Sequence, residues 1–227
     1  MSSVKESEAD VQSSTSRLRI TEIFYSLQGE SRTSGYATVF IRLTGCPLRC
    51  EYCDTTYAFK GGEWFSFKDI LAEVKKYNTK YITVTGGEPL AQNRCIDLLQ
   101  LLCDEGYEVS LETSGALDIS KVDPRVSRVM DLKTPASKEE SKNLYSNIEL
   151  LTSNDQLKFV ICDRNDYEWA VDKLNEYDLL NRCEVFFSTS HQQLKPHTLA
   201  DWIIEDQLTV RFQMQLHKYL WNDEPGR

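Results

Sequence analysis

No run of about 18 apolar residues occurs anywhere in the chain, so nothing in it reads as a membrane span. Residues 1–17, MSSVKESEADVQSSTSR, hold no apolar stretch of the kind a secretory signal needs. Excess cationic charge is missing too: 26 Lys and Arg stand against 35 Asp and Glu, a formal net charge of −9. That balance repels polyanions and argues against nucleic-acid binding by bulk charge, while leaving room for a local basic pocket that holds one anion. There is no internal repeat, and no low-complexity segment after residue 17. Seven cysteines are an odd number, and a chain of this size needs no disulfide scaffold. Reduced thiols and a cytoplasmic protein are the expectation, and closely spaced reduced cysteines point to metal.

What is present is enough for a sizeable core: 227 residues, 41% apolar and 11% aromatic. Residues 1–17 read as a flexible polar tail and 18–227 as one folded domain. Expected strands are Ile20–Tyr25, Thr38–Leu43, Tyr81–Thr85, Glu108–Glu112, Arg128–Leu132, Leu157–Cys162, Glu184–Ser188 and Val210–Gln213. Expected helices are Ser66–Tyr77, Gln92–Glu105, Lys138–Leu150, Asp166–Tyr177, Thr198–Glu205 and Leu216–Trp221. Ser66 and Thr198 suit helix N-caps, and Gly106 suits a helix end. The alternation predicts an α/β fold with mostly parallel strands and helical crossovers. A complete eight-fold barrel typically needs about 250 residues, so a modified, partial (β/α) barrel fits better than a closed one. An open doubly wound sheet is the alternative.

The chemistry centres on Gly45-Cys46-Pro47-Leu48-Arg49-Cys50-Glu51-Tyr52-Cys53-Asp54-Thr55, directly after the apolar run Val39–Leu43. That places it at the carboxyl end of a strand, the face that carries active sites in barrels and open α/β sheets. Three thiols within eight residues can wrap one face of an iron–sulfur cube and leave one iron open. A zinc site would want four ligands, and no second Cys pair exists: Cys95, Cys103, Cys162 and Cys183 are scattered through apolar runs. Those four suit buried small hydrophobes. Zinc held with a residue brought close by folding stays open on spacing alone.

Cys-x3-Cys-x2-Cys with an aromatic before the third Cys resembles the signature of the radical S-adenosylmethionine (SAM) enzymes. In that superfamily a 4Fe–4S cluster binds the methionine part of SAM at its open iron, and reduction yields a 5′-deoxyadenosyl radical. Thr85-Gly86-Gly87-Glu88-Pro89 resembles the superfamily's GGEP turn, where glycines admit close backbone approach and Glu88 can accept from a cationic amine. Outside that context it would be an ordinary turn before a helix. Glu112-Thr113-Ser114-Gly115 and Asp131-Leu132-Lys133 resemble segments that hold the SAM ribose and carboxylate. The resemblance therefore implies SAM contacts at Tyr52, Asp54, Gly87, Glu88, Ser114, Lys133 and Ser188, with Ser190 nearby.

The segment Ser26-Leu27-Gln28-Gly29-Glu30, with Arg42 and Cys53-Asp54-Thr55, narrows the likeness. From about Ile20 to Trp221 the chain resembles the 7-carboxy-7-deazaguanine synthase family of queuosine and deazapurine biosynthesis. That implies a lyase acting on 6-carboxy-5,6,7,8-tetrahydropterin, with ring contraction, loss of ammonia and recycled SAM. It also implies magnesium at Thr55, substrate contacts at Leu27, Gln28, Gly29, Arg42, Thr85 and His217, approach of the chain terminus to substrate, a homodimer, and a reductant such as a flavodoxin. Physical chemistry supports Arg42 independently: a cation inside an apolar strand needs an anion, either a substrate carboxylate or an internal glutamate. Thr55 is a neutral hydroxyl, a weak magnesium ligand unless substrate oxygens and water complete the shell. Two other readings stand beside this one: an activase that installs a glycyl radical on a partner protein, and a zinc-binding interaction module built on Cys46, Cys50 and Cys53.

Overall fold

A computed structural model describes residues 16–191, 193–222, 224 and 226. Among these, nine strands form one sheet: β1 Arg17–Leu27, β2 Ala37–Leu43, β3 Glu63–Ser66, β4 Tyr81–Gly86, β5 Glu108–Thr113, β6 Ser127–Asp131, β7 Gln156–Ile161, β8 Glu184–Thr189 and β9 Arg211–Gln213. The order is β3-β1-β2-β4-β5-β6-β7-β8-β9. From β2 to β9 all pairings are parallel; β1 joins β2 and β3 antiparallel. The sheet stays open, with β3 and β9 as its edges, in keeping with a partial barrel.

Strict alternation gives the sheet two unlike faces. Val39, Ile41 and Leu43 of β2, Ile82 and Val84 of β4, and Leu157, Phe159 and Ile161 of β7 join the hydrophobic core. The intervening Phe40, Arg42, Thr85, Lys158 and Val160 line a cavity on the other face. The sheet curves around that cavity. Although β1 and β7 lie five places apart in the order, Glu30 just beyond β1 reaches Lys158 of β7 at 2.8 Å. The loop after β1 docks there as well, with Arg32 N donating to Gln156 Oε1 and Arg32 Nε to Glu184.

Helices α1 Phe67–Val74, α2 Cys95–Asp104, α3 Arg164–Glu176, α4 Pro196–Glu205 and α5 Leu216–Trp221 complete the fold. Ser66 caps α1 in a reciprocal box: its Oγ accepts from Asp69 N, and Asp69 Oδ2 accepts from Ser66 N. Gly106 closes α2 as expected, at φ +88°. Thr198 is no cap. Lys195 precedes the helix and Pro196 occupies its first position, where proline lacks only a hydrogen bond that no residue there makes. The helix expected over Lys138–Leu150 is instead a pair of 3-10 turns, Glu140–Lys142 and Tyr145–Leu150, pinned by side chains. Asn143 bonds Lys133 N and O, and Asn147 bonds the carbonyls of Gly115 and Leu117, which hold the chain against the ends of β5 and β6. Of the polar tail expected over 1–17, residues 1–15 lie outside the described residues. Ser16 O accepts from Phe67 N, and Arg17 opens β1 opposite Ser66.

A buried ion pair locks β6 to β7. Asp155 accepts from Arg128 N and Nε and from Thr152 N, all within 2.9 Å. Burial alone would raise the Asp155 carboxyl, but the Arg128 and Thr152 donors outweigh it and hold the pKa below the ordinary value. The stabilisation is complete above the unfolded carboxyl pKa of about 3.9 and is lost as the pH falls through the lower folded value. Asp155→Ala strands the guanidinium and should cost about 3 kcal/mol. At neutral pH, calorimetry should then show a Tm lower by roughly 6–12 °C, and an unchanged Tm would contradict this role.

Candidate active site

The three cysteines sit on the loop that leaves β2, all free and half-buried. Backbone bonds hold that loop in place: Gly45 N to Ala58 O, Glu51 N to Ser137 O and Cys53 N to Cys50 O. Arg49 donates to Cys46 O and lies 4.3 Å over the Phe59 ring. Burial pushes all three thiols up, Cys50 to about 11. Thiolate character here therefore has to come from a bound metal replacing the proton.

The Gly-Gly-Glu-Pro turn after β4 packs directly on this loop, and Glu88 N donates to Gly45 O at 2.8 Å. A Cβ on Gly87 would overlap the Gly45 carbonyl oxygen and come within 2.8 Å of Cys46 Cβ. Glycine is thus required by contact with the cysteine loop itself. Gly87→Ala should displace Cys46 and at least halve the iron bound per chain after reconstitution, and full iron loading would contradict the packing argument. Glu88 lies behind the cavity wall. It is wholly buried and is not among the cavity-lining residues. Its oxygens accept from Leu90 N, Thr113 Oγ1, Ser114 N and Ser114 Oγ, so it fastens the turn to the end of β5.

One cavity of about 610 Å³, within the range of small-molecule sites, gathers the other singled-out residues. Cys46, Cys50, Cys53, Tyr52, Asp54, Thr55, Gly87, Ser114, Lys133 and Ser188 line it, with Ser190 beside them. Leu27, Gln28, Gly29, Arg42, Thr85 and His217 line it as well. Gly29 and His217 meet there: a Cβ on Gly29 would lie 2.9 Å from His217 Nδ1, and Gly29 O accepts from Leu216 N. Glu224 and Gly226 also line the cavity, so the C-terminal segment reaches the site.

Several side chains are more committed than the sequence implies. Arg42 donates through Nε to Glu22 at 2.7 Å, the internal pair that strand patterning left open, and its guanidinium lies over Phe24 and Tyr57. The Gln28 amide donates to Thr83 Oγ1 and accepts from Glu30 N, which makes it a brace of the turn. Thr85 donates to Glu112, and Thr55 donates to Asp54 Oδ1. Asp54 also accepts from Lys218 at 2.7 Å and from Gln215. Burial opposes its charge, but Lys218 prevails and keeps the carboxyl ionised, well below the ordinary range.

Sequence reading missed Lys158, Glu30 and Lys218. Lys158 carried the signal that exposed Arg42, a cation inside an apolar strand. Burial would neutralise Lys158, yet Glu30, Asp131 and Glu112 keep it charged. Burial likewise would raise Glu30, but Lys158 and Gln215 hold it down, whereas Glu112 is pushed up by burial and by the Glu30 charge.

The family model for the radical SAM superfamily matches residues 40–183. A radical SAM enzyme is therefore the class that fold and cysteine loop define. The chain is 41% identical to the 7-carboxy-7-deazaguanine synthase of Chlorobaculum tepidum, over 91% of this chain and 96% of the relative. It is 41% identical to that of Koribacter versatilis over 91% and 98%, and 34% identical to that of Thermoplasma acidophilum over 91% and 99%. In fold it is similar to the crystal structure of QueE from Escherichia coli, with TM-score 0.76 and 22% identity over 94% of this chain and all of that one. The chain belongs to the 7-carboxy-7-deazaguanine synthase family of radical SAM enzymes.

The cofactors of that family are accordingly a 4Fe–4S cluster, SAM and Mg²⁺. The residues present fit them. Three free thiols line one cavity, as three ligands to one face of a cluster must. Tyr52 Oη and Asp131 Oδ1, buried atoms of two cavity-lining residues, find no hydrogen-bond partner among the described residues, so the polar groups at this wall are not all satisfied from within. Thr55 and Asp54 supply hard oxygen donors of the kind Mg²⁺ takes. No helix among the described residues is long and apolar enough to cross a membrane.

Proposed function

We propose that this chain is a lyase that converts 6-carboxy-5,6,7,8-tetrahydropterin to 7-carboxy-7-deazaguanine with loss of ammonia, for queuosine or deazapurine biosynthesis. The observation that carries this reading is the single cavity that sets the three thiols beside Arg42, Thr85 and His217. A cavity of this size with an arginine in its wall suits a small carboxylated substrate, which weighs against an activase. Cys46, Cys50 and Cys53 hold the cluster. Tyr52, Asp54, Gly87, Ser114, Lys133 and Ser188 shape the SAM half, with Glu88 acting through the turn it fastens. Lys133, paired with Asp131 at 2.9 Å and 5.8 Å from the Tyr52 ring centre, presents a buried cation to that half.

Leu27, Gln28, Gly29, Thr85 and His217 wall the pterin half. Arg42 spends Nε on Glu22, and the Nη edge of its fork is suited to the substrate carboxylate. When bound, the cluster and SAM would supply the radical chemistry that removes and returns a hydrogen atom. The protein's part is to bring the two ligands together, fix their contact and exclude water. Thr55 offers Mg²⁺ one protein hydroxyl, so the ion should bind at least about tenfold more tightly with substrate present than without it. Calorimetric titration checks this, and equal affinities would remove Thr55 as the site. The reading extends to a cytoplasmic homodimer reduced by a flavodoxin-like donor. Iron and sulfide content after anaerobic purification is the first test: a brown protein with roughly four of each per chain is expected, and a colourless zinc protein would overturn the assignment.

A further inference from the structure

Lys158 lines the cavity and bridges carboxylates from two of its walls. It lies in the middle of β7, where Leu157, Phe159 and Ile161 enter the core, while Lys158 and Val160 face the cavity. Its ammonium is 2.8 Å from Glu30 Oε2 and 3.9 Å from Asp131 Oδ2. Those carboxylates belong to different halves. Glu30 ends the Leu27–Gly29 turn and, through its backbone N–H, braces the Gln28 amide. Asp131 pairs with Lys133 and turns its unpartnered Oδ1 into the buried interior. All three groups are mostly buried, with side chains 16–17% exposed, so their interaction is weakly screened.

Resting on the reading of this cavity as one that holds SAM beside a pterin, we infer that Lys158 is a positioning residue that couples the two halves. Through Glu30 it fixes the turn that walls the pterin, and through Asp131 it sets the charge facing SAM. Filling one half then orders the other, and the two ligands help each other bind.

The test is equilibrium dialysis of labelled SAM against cluster-loaded, unreduced protein, with and without saturating 6-carboxytetrahydropterin. In the wild type the pterin should tighten SAM binding at least about fivefold, and in Lys158→Met the ratio should fall to within about twofold of unity. A purely structural role would weaken binding and lower Tm while leaving the ratio as it was. On reduction, the variant should also release more 5′-deoxyadenosine per product formed. If Lys158→Met does not fold, Glu30→Gln loosens the same pair from its other side and should lose the ratio as well. A variant that keeps the full ratio overturns the inference and leaves the proposed reaction standing. So does a wild type that converts the pterin yet binds SAM indifferently to it. A wild type that neither binds nor converts the pterin removes the reaction and the inference together.

Discussion

Cys50→Ala should reduce SAM cleavage to background while leaving a folded chain. Cys50 is half-buried at a cavity wall and makes no disulfide, so the metal-free protein loses little packing. A stability change within about 0.5 kcal/mol is expected for the apo form. The cluster, by contrast, loses one of three protein ligands, and no nearby carboxylate or imidazole makes up a compact set among the described residues. Circular dichroism of the apo protein and 5′-deoxyadenosine formation by the reconstituted protein separate the two effects. Retained cleavage would refute the ligand assignment, whereas an unfolded apo variant would mean that the loop is structural.

Arg42→Ala should weaken pterin binding far more than SAM binding. Truncating one partner of a buried, hydrogen-bonded charge pair costs roughly 2–5 kcal/mol. At about 1.4 kcal/mol per decade, that is roughly 30- to 3,000-fold in substrate Kd. The structure gives this prediction a control, because Arg42 also holds Glu22. Glu22 keeps a second donor in the Tyr57 hydroxyl, at 2.8 Å, so the fold should tolerate the loss. Arg42→Lys keeps the charge without the planar fork and should fall between wild type and alanine. Equal losses of pterin and SAM affinity would show that Arg42 shapes the cavity as a whole and does not receive the carboxylate.

Much of this architecture was legible because it follows from periodicity. The parallel strands β2 and β4–β8 are short, β-branched and bounded by turn residues, and each appears within two residues of its expected place. Strand β3, Glu63–Ser66, was missed because four residues, none of them fully buried, carry too short a burial signal; it exists through pairing with β1. The segment Lys138–Leu150 has helical spacing, yet tertiary bonds from Asn143 and Asn147 override it.

The same division runs through the site. Cysteines, glycines and Arg42 declare themselves by spacing or by breaking an apolar run. Glu30 does not, because its meaning depends on Lys158, 128 residues later in the chain. Gln28 and Glu88 illustrate the opposite limit: their residue types suggested ligand contacts, but the fold gives them internal partners. A sequence shows which groups are capable of recognition, and only packing shows which of them are already spent.

The central claim is that one cavity joins cluster-bound SAM to a carboxylated pterin and recycles the SAM. It is tested most directly by anaerobic incubation of reconstituted protein with SAM, Mg²⁺, reductant and 6-carboxytetrahydropterin, followed by mass spectrometry. The account predicts 7-carboxy-7-deazaguanine in molar excess over the SAM consumed. Accumulation of 5′-deoxyadenosine without that product would contradict the substrate assignment, and no cleavage from a verified, reducible 4Fe–4S cluster would contradict the radical chemistry itself.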